Sequence, residues 1–394
     1  MKPYYNDPYT TEFDAAAIES FQREGKTFVI LDKTFFYPTS GGQEHDTGFI
    51  GDTQVTDVFE EDGRVLHVVS AAVPAGKVAC RIDRERRLGN MQQHTGQHIL
   101  SAAFENLFGI ETVSSRLGEF TGTIDLSRMP SDKEVEESVA TANRVVREDR
   151  KVTIHYAERD DIARFNLRKP PKVDGTVRIV DVEDFDMSPC GGTHCTHTSE
   201  VGVILTGNLE KVKGSLTRIE FFCGDRAVRR FNEMQRSALE ISRIVSASMD
   251  ELPPAVQKLK SQVQDKEAII KSLREKVLLD ICDKTLPVVE NGANAVMSLD
   301  LSTLVQSTEE LRFVASCVSG RTKRSFAFHR LEGNICFMNL NLLTDEKEAS
   351  GIVGKLRTEF GVKGGGRNGF YSVTFESARM ADVIGFVRRS LANE

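Results

Sequence analysis

The sequence predicts a mixed α/β (α+β) protein of several domains. A small N-terminal β-barrel over 1–85 is followed by an α/β metal-binding domain over 86–224, a helical, coiled-coil-like arm over 225–285, and a C-terminal α/β domain over 286–394. Three observations lead there. The first eighty residues carry short β-branched runs broken by Gly, Asp and Pro. From about residue 83, helical stretches alternate with strand-like ones, the pattern of layered α/β domains. Beyond Pro253-Pro254, apolar residues recur at alternating spacings of three and four, as on a helical seam. At 394 residues, 40% hydrophobic and 28% charged, the chain has material for two to four domains.

In the N-terminal part, TFVIL at 27–31, VTDVF at 55–59, VLHVV at 65–69 and KVACRI at 77–82 are the expected strands. Between the first two lies Phe36-Tyr-Pro-Thr-Ser-Gly-Gly-Gln43, followed by Asp46-Thr-Gly48. It reads as a hairpin loop whose glycines supply positive φ, or as a loop that brings backbone N–H groups, Thr39 and Gln43 close to a substrate. Taken alone, the loop favours the first reading.

NMQQHTGQHILSAAFENLF reads as a helix, so His94 and His98 project from one face about a turn apart and can chelate. Cys190 and His194 are also four apart, but Gly191-Gly192 between them suits a tight turn around an ion. Together they form a His3Cys donor set for one zinc ion; the thiolate disfavours magnesium or calcium. Either half alone is weak, since two histidines at helical spacing often share a solvated face. The coincidence of both halves with the diglycine, in a chain of only eight histidines, carries the assignment. Four protein ligands close a tetrahedron, whereas catalytic zinc keeps a position open, so structural and catalytic roles both stay open. Seven scattered cysteines fit reduced thiols better than a disulfide framework, and Cys195 reads as a buried thiol or an alternative ligand.

Farther along, Ser131 and Glu134 suit a capping box, and KVTIHYA, TVRIVDV, VGVILTG and RIEFFCG read as strands. Pro170-Pro171 marks an exposed loop flanked by Arg168, Lys169 and Lys172. In the arm, Val256, Leu259, Val263, Ile270, Leu273 and Val277 form a stripe that serves self-association as a homodimer or an antiparallel hairpin with 226–248. In the last hundred residues, NAVMSL, SFAFHR, NICFMNL and YSVTF are strand candidates. Gly361-Val-Lys-Gly-Gly-Gly-Arg367 reads as a glycine-rich loop, not a Walker loop. Its Lys363 and Arg367 suit a phosphate or a folded RNA, with a flexible surface turn as the plain alternative.

A net charge of -7 argues against a general nucleic-acid coat. Basic clusters at Arg84, Arg86 and Arg87, at Arg168 and Lys169, at Arg226, Arg229 and Arg230, and at Arg321, Lys323 and Arg324 suit either phosphates or solvent. No apolar stretch reaches bilayer length and the start lacks a leader pattern, so a cytoplasmic protein without a membrane partner is expected.

HTGQH, CGGTH and FYPTSGGQ, in this order and spacing, resemble the editing part of alanyl-tRNA synthetase and its free-standing relatives, the AlaX proteins. Thr217-Arg-Ile-Glu-Phe-Phe-Cys-Gly224 resembles the strand closing that domain, and the arm with GVKGGGR resembles the synthetase's C-terminal region. With no room before residue 30 for an aminoacylation core, the chain looks like the long free-standing form. The resemblance implies ATP-independent hydrolysis of the ester joining serine, and secondarily glycine, to tRNA for alanine. Zinc on His94, His98, Cys190 and His194 would polarise the carbonyl, lower the pKa of water, or anchor the substrate. It also implies that Thr39 lies near the amino-acid pocket, its hydroxyl answering serine where alanine offers nothing. Asp125, in TGTIDLS, matches a family aspartate, and Lys363, Arg367, Arg168 and Lys169 become candidate tRNA contacts. The chain departs from the synthetases in carrying Val113-Ser114-Ser115 where many have a VSQ-like segment. The alternatives are a tRNA-binding factor with a structural zinc and no turnover, and a hydrolase of small esters or peptides; the latter lacks an HExxH motif.

Overall fold

The computed structural model describes residues 2–171, 175–212, 214–292 and 296–392. It divides into two compact units, Met1–Ile244 and Val245–Glu394. The first opens with a short helix α1 (Pro3–Asn6) and six strands, β1 (Glu12–Arg23), β2 (Lys26–Leu31), β3 (Gly48–Ile50), β4 (Thr53–Glu61), β5 (Arg64–Val69) and β6 (Gly76–Ile82). They close an antiparallel barrel in the order β1-β2-β5-β4-β3-β6, as expected. Glu24-Gly25 and Asp62-Gly63 turn two of its hairpins with both residues at positive φ, the backbone that matches strand twist. β1 escaped the sequence reading because DAAAIESFQR is poor in β-formers. Its Ala15 and Ala17 nevertheless point into the barrel core beside Val29, Val55, Val58 and Val69.

Next come α2 (Arg84–Phe108), β7 (Thr112–Leu117), β8 (Gly122–Leu126), α3 (Asp132–Arg147), β9 (Val152–Ala157), β10 (Val177–Val182), β11 (Asp186–Pro189), β12 (Ile204–Lys211), β13 (Thr217–Cys223) and α4 (Gly224–Val245). Asp83 caps α2 by accepting the Arg86 N–H at 3.0 Å, and Gly109 ends it in the left-handed region. Ser131 and Glu134 form the expected capping box on α3. An antiparallel sheet, β12-β13-β8-β7, backs α2, and a second one, β11-β10-β9, carries the cysteine-bearing turn at its edge. Ile99, Leu100, Ala103 and Phe104 of α2 share a core with Ile124, Leu126, Ile219 and Phe221 of the larger sheet.

The second unit contains α5 (Leu252–Glu290), β14 (Val296–Asp300), α6 (Thr308–Ser319), β15 (Ser325–Glu332), β16 (Ile335–Asn341), α7 (Glu346–Phe360), β17 (Lys363–Arg367), β18 (Phe370–Glu376) and α8 (Met380–Leu391). Its sheet runs β14-β15-β16-β18-β17, with β14 parallel to β15 and the other pairs antiparallel. Pro253 and Pro254 start α5 rather than merely breaking the chain, since a first turn needs no donor from them. The stripe from Val256 to Val277 is 46–65% exposed, while Leu278, Ile281, Cys282 and Val289 are buried with α6.

One expectation is corrected here. GVKGGGR is not a loop: Lys363–Arg367 is an edge strand paired with β18. Its glycines permit close pairing, because a Cβ on Gly366 would lie 2.0 Å from the Phe370 carbonyl oxygen and one on Gly364 would lie 2.2 Å from that of Ser372.

Candidate metal centre

α2 presents His94 and His98, and the turn after β11 brings Cys190 and His194 against them. The four potential ligand atoms lie within 4.8 Å of one another. Cys190 Sγ is 3.2 Å from His94 Nε2 and 3.3 Å from His194 Nε2. The histidines are buried and Cys190 partly so. The four can hold a metal ion.

Each imidazole is aimed by a partner on its other nitrogen. His94 Nδ1–H donates to Gln43 Oε1 at 2.7 Å and His98 Nδ1–H to Asp186 Oδ2 at 3.0 Å, while His194 Nδ1 lies 3.2 Å from Thr95 Oγ1. This fixes the tautomer that leaves Nε2 for an ion. Gln43 is itself clamped: its Nε2 donates to Thr193 Oγ1 at 2.8 Å and its Oε1 accepts the Thr193 N–H at 3.1 Å. Asp186 also accepts from Arg168 Nε at 2.6 Å, and Arg168 reaches Glu105 at 3.3 Å.

Burial alone would raise the Cys190 thiol, but the imidazoles of His94 and His194 outweigh it and hold the thiol well below its ordinary range. His98 is opposed by burial yet raised to about 9 by Asp186 and Cys190. His194 is lowered to about 3, first by burial and then by His94. A ready thiolate among aimed imidazoles is a donor set that suits zinc.

The diglycine works differently from the expected turn. Neither glycine has positive φ; instead a Cβ on Gly192 would lie 2.0 Å from His94 Cε1 and 2.8 Å from Gln43 Oε1. Glycine is needed there for close approach. Tyr37 Oη donates across to the Gly191 carbonyl at 3.1 Å, tying the barrel loop to the same turn.

Beside the centre, a cleft of about 860 Å³ is lined by Thr39, Gln43, His45, Arg86 and Ser115. Gln43 thus belongs to both the cleft and the metal centre. Thr39 Oγ1 is 3.1 Å from His45 Nδ1. Asp125, on β8, accepts from Arg218 at 2.8 and 3.0 Å and from Ser114 at 2.6 Å; the Arg218 guanidinium holds it below the ordinary carboxylate range. Cys195 packs in the core, its thiol pushed up to about 12 by burial. Lys169 donates to the Thr112 carbonyl. Lys363 and Arg367 are exposed on β17 of the second unit, and Lys172 lies outside the described residues. Among the described residues no helix is long and apolar enough to cross a membrane, and all seven cysteines are free.

Sequence reasoning missed Asp186, Thr95 and Thr193. Asp186 stands four residues before Cys190 in DFDMSPC, a spacing that could have marked it, but Asp184 nearby offers the same side chain.

Residues 177–220, covering β10, β11, the CGGTH turn and most of β13, match the family described as the threonyl and alanyl tRNA synthetase second additional domain. Residues 9–86, which span the barrel, match the family described as tRNA synthetases class II (A). The alanyl-tRNA editing protein AlaX-L of Pyrococcus horikoshii is 35% identical over 243 residues, 59% of this chain and 60% of that protein. The alanine-tRNA ligase of Archaeoglobus fulgidus is 33% identical over 294 residues, 71% of this chain and 32% of the ligase. That of Methanoregula boonei is 30% identical over 383 residues, 93% of this chain and 40% of the ligase. Each match therefore spans less than two thirds of the relative's own length.

Proposed function

We propose, on the premise that this chain is a relative of the alanyl-tRNA editing proteins and the alanine-tRNA ligases, that it is a cytoplasmic trans-editing hydrolase. Its substrate is tRNA(Ala) mischarged with serine, with glycine second, and its ion is one zinc. The observation that carries this reading is the four-residue centre joined through Gln43 to the open cleft.

An aminoacyl ester is already activated, so the protein's work is to position it, admit water and stabilise an oxyanion. Zinc held by His94, His98, Cys190 and His194 would supply Lewis-acid polarisation or substrate anchoring. The chain's own residues do the rest. Gln43, clamped at both ends by Thr193, holds His94 while facing the cleft. Thr39 offers its hydroxyl to the serine side chain, and alanine leaves that group unanswered. Asp125 braces β8 through Arg218 and Ser114, and Arg168 supports the centre through Asp186. Lys363 and Arg367 remain the candidate RNA contacts, along with Lys169, and the exposed seam of α5 suits self-association as a homodimer.

A binding factor with a structural ion is favoured by one fact, that four protein ligands fill a tetrahedron. Release of labelled serine from Ser-tRNA(Ala), with Ala-tRNA(Ala) alongside, separates the two. Fast release from the seryl ester alone, lost in His98→Ala, is expected. Release at the spontaneous rate with tRNA still bound would leave the binding factor as the answer.

A further inference from the structure

The tip between β7 and β8 separates two hollows. Glu119 lines the cleft that contains Gln43, while its neighbour Phe120 lines a second hollow of about 310 Å³ with Phe222, Arg226, Arg229, Arg230 and Glu233. Phe120 is 68% exposed, a large ring held in water. The tip beneath it is pinned: Arg226 donates to the Gly118 carbonyl at 3.1 Å and to Asn90 Oδ1 at 2.8 Å. The Arg230 guanidinium lies over the Phe222 ring at 5.7 Å and 3.7 Å from Glu233, with its Nε buried and unpartnered. Arg229 is exposed and has no ion-pair partner among the described residues. Of the two carboxylates at the rim, Glu233 faces Arg230 and Glu220 accepts the Asn208 N–H at 3.3 Å.

An exposed ring on a pinned tip, beside Arg229, unpaired among the described residues, and beside Arg230, whose contact with Glu233 is long, suits a nucleobase and its phosphate. Rings stack on any base, and arginine meets phosphate with a planar fork. We propose that this hollow binds one nucleotide of a single-stranded RNA 3′ end, upstream of the terminal adenosine, with its base on Phe120 and its phosphate at Arg229 and Arg230. The strand then passes over the hairpin tip so that the terminal ester enters the cleft. This rests on the editing reading and names where its substrate is held. An acidic peptide would meet the same cations but leave the ring unused.

The test uses full-length Phe120→Ala and Arg229→Ala on two esters, Ser-tRNA(Ala) and 3′-O-seryl-adenosine, which has no upstream nucleotide. With Ser-tRNA(Ala), KM is expected to rise about tenfold in Phe120→Ala at unchanged kcat, and the salt slope of log KM to fall by about one in Arg229→Ala. Hydrolysis of seryl-adenosine should not change, and Tm should hold because both side chains are exposed. Equal loss on both esters, or no change on either, overturns the proposal. If the wild type cleaves neither ester, the editing reading fails, and binding decides the hollow by itself. Removing the last four nucleotides of uncharged tRNA(Ala) should then weaken binding to the wild type but not to Phe120→Ala. Trimming without effect, or an acidic peptide displacing tRNA from the wild type alone, overturns it.

Discussion

His98, on α2, owes its orientation to a carboxylate on β11. Asp186 is buried and divides its oxygens between His98 and Arg168; burial would raise its pKa, but these two partners hold it below the ordinary range. Asp186→Asn is expected to weaken metal binding about 10–100-fold, as losing such partners does. Competition against a chromophoric chelator measures this, and an unchanged affinity would refute the orienting role. Gly192 and Gly191 provide a contrast of neighbours. Gly192→Ala drives a methyl into His94 and should leave the protein with far less than one bound metal per chain. Gly191→Ala has only the Tyr5 hydroxyl at 3.4 Å and no positive φ, so metal content should stay at one. At this scale the sequence brought together, through their four-residue spacings, the four residues that could hold a metal ion, because a helix turn and a tight turn both place such residues side by side. It did not disclose what holds them: Gln43, Thr95 and Asp186 act through contacts that only the assembled fold creates.

Elements are set against one another by small residues. α2 can lie close to β13 because position 96 is glycine: a Cβ there would sit 2.2 Å from Cys223 Sγ, yet only 3.3 Å from its Cβ. Two effects compete in Gly96→Ala. The helix gains about 1 kcal/mol in propensity, while overpacking costs about 1–3 kcal/mol. Overlap wins in the wild-type background, and Tm should fall. In Cys223→Ala the sulfur is gone, so the same substitution should be neutral or stabilising. A fall of equal size in both backgrounds would mean that the two residues are not coupled. The helices and most strands were readable from apolar period and capping residues, as the box at Ser131 and Glu134 shows. β1 and β17 were not, nor were the short β3, β7, β8 and β11, and for β1 and β17 the reason is the same. An alanine-rich strand and a glycine-rich strand carry no propensity signal, and each forms because its neighbours supply the pairing.

On the scale of the whole chain, the barrel and both halves of the candidate metal centre fall in the same compact unit, although their residues span positions 12 to 223. The barrel loop reaches the centre through Gln43 and Tyr37, so the barrel completes the site. The second unit has its own sheet and two cores. A chain ending at residue 244 should therefore fold, bind one metal ion and hydrolyse seryl-adenosine at close to the full-length rate. On the reading given to Lys363 and Arg367, it should lose affinity for tRNA(Ala) and some of its preference over other seryl-tRNAs. Metal content, a cooperative melt and rates on both esters measure each part. If seryl-adenosine hydrolysis disappears although the fragment melts cooperatively with metal bound, then Val245–Glu394 contributes to the chemistry itself. If tRNA preference survives intact, the reader of the tRNA lies in the first unit, and the arginines beside Phe120 are the cations to examine next.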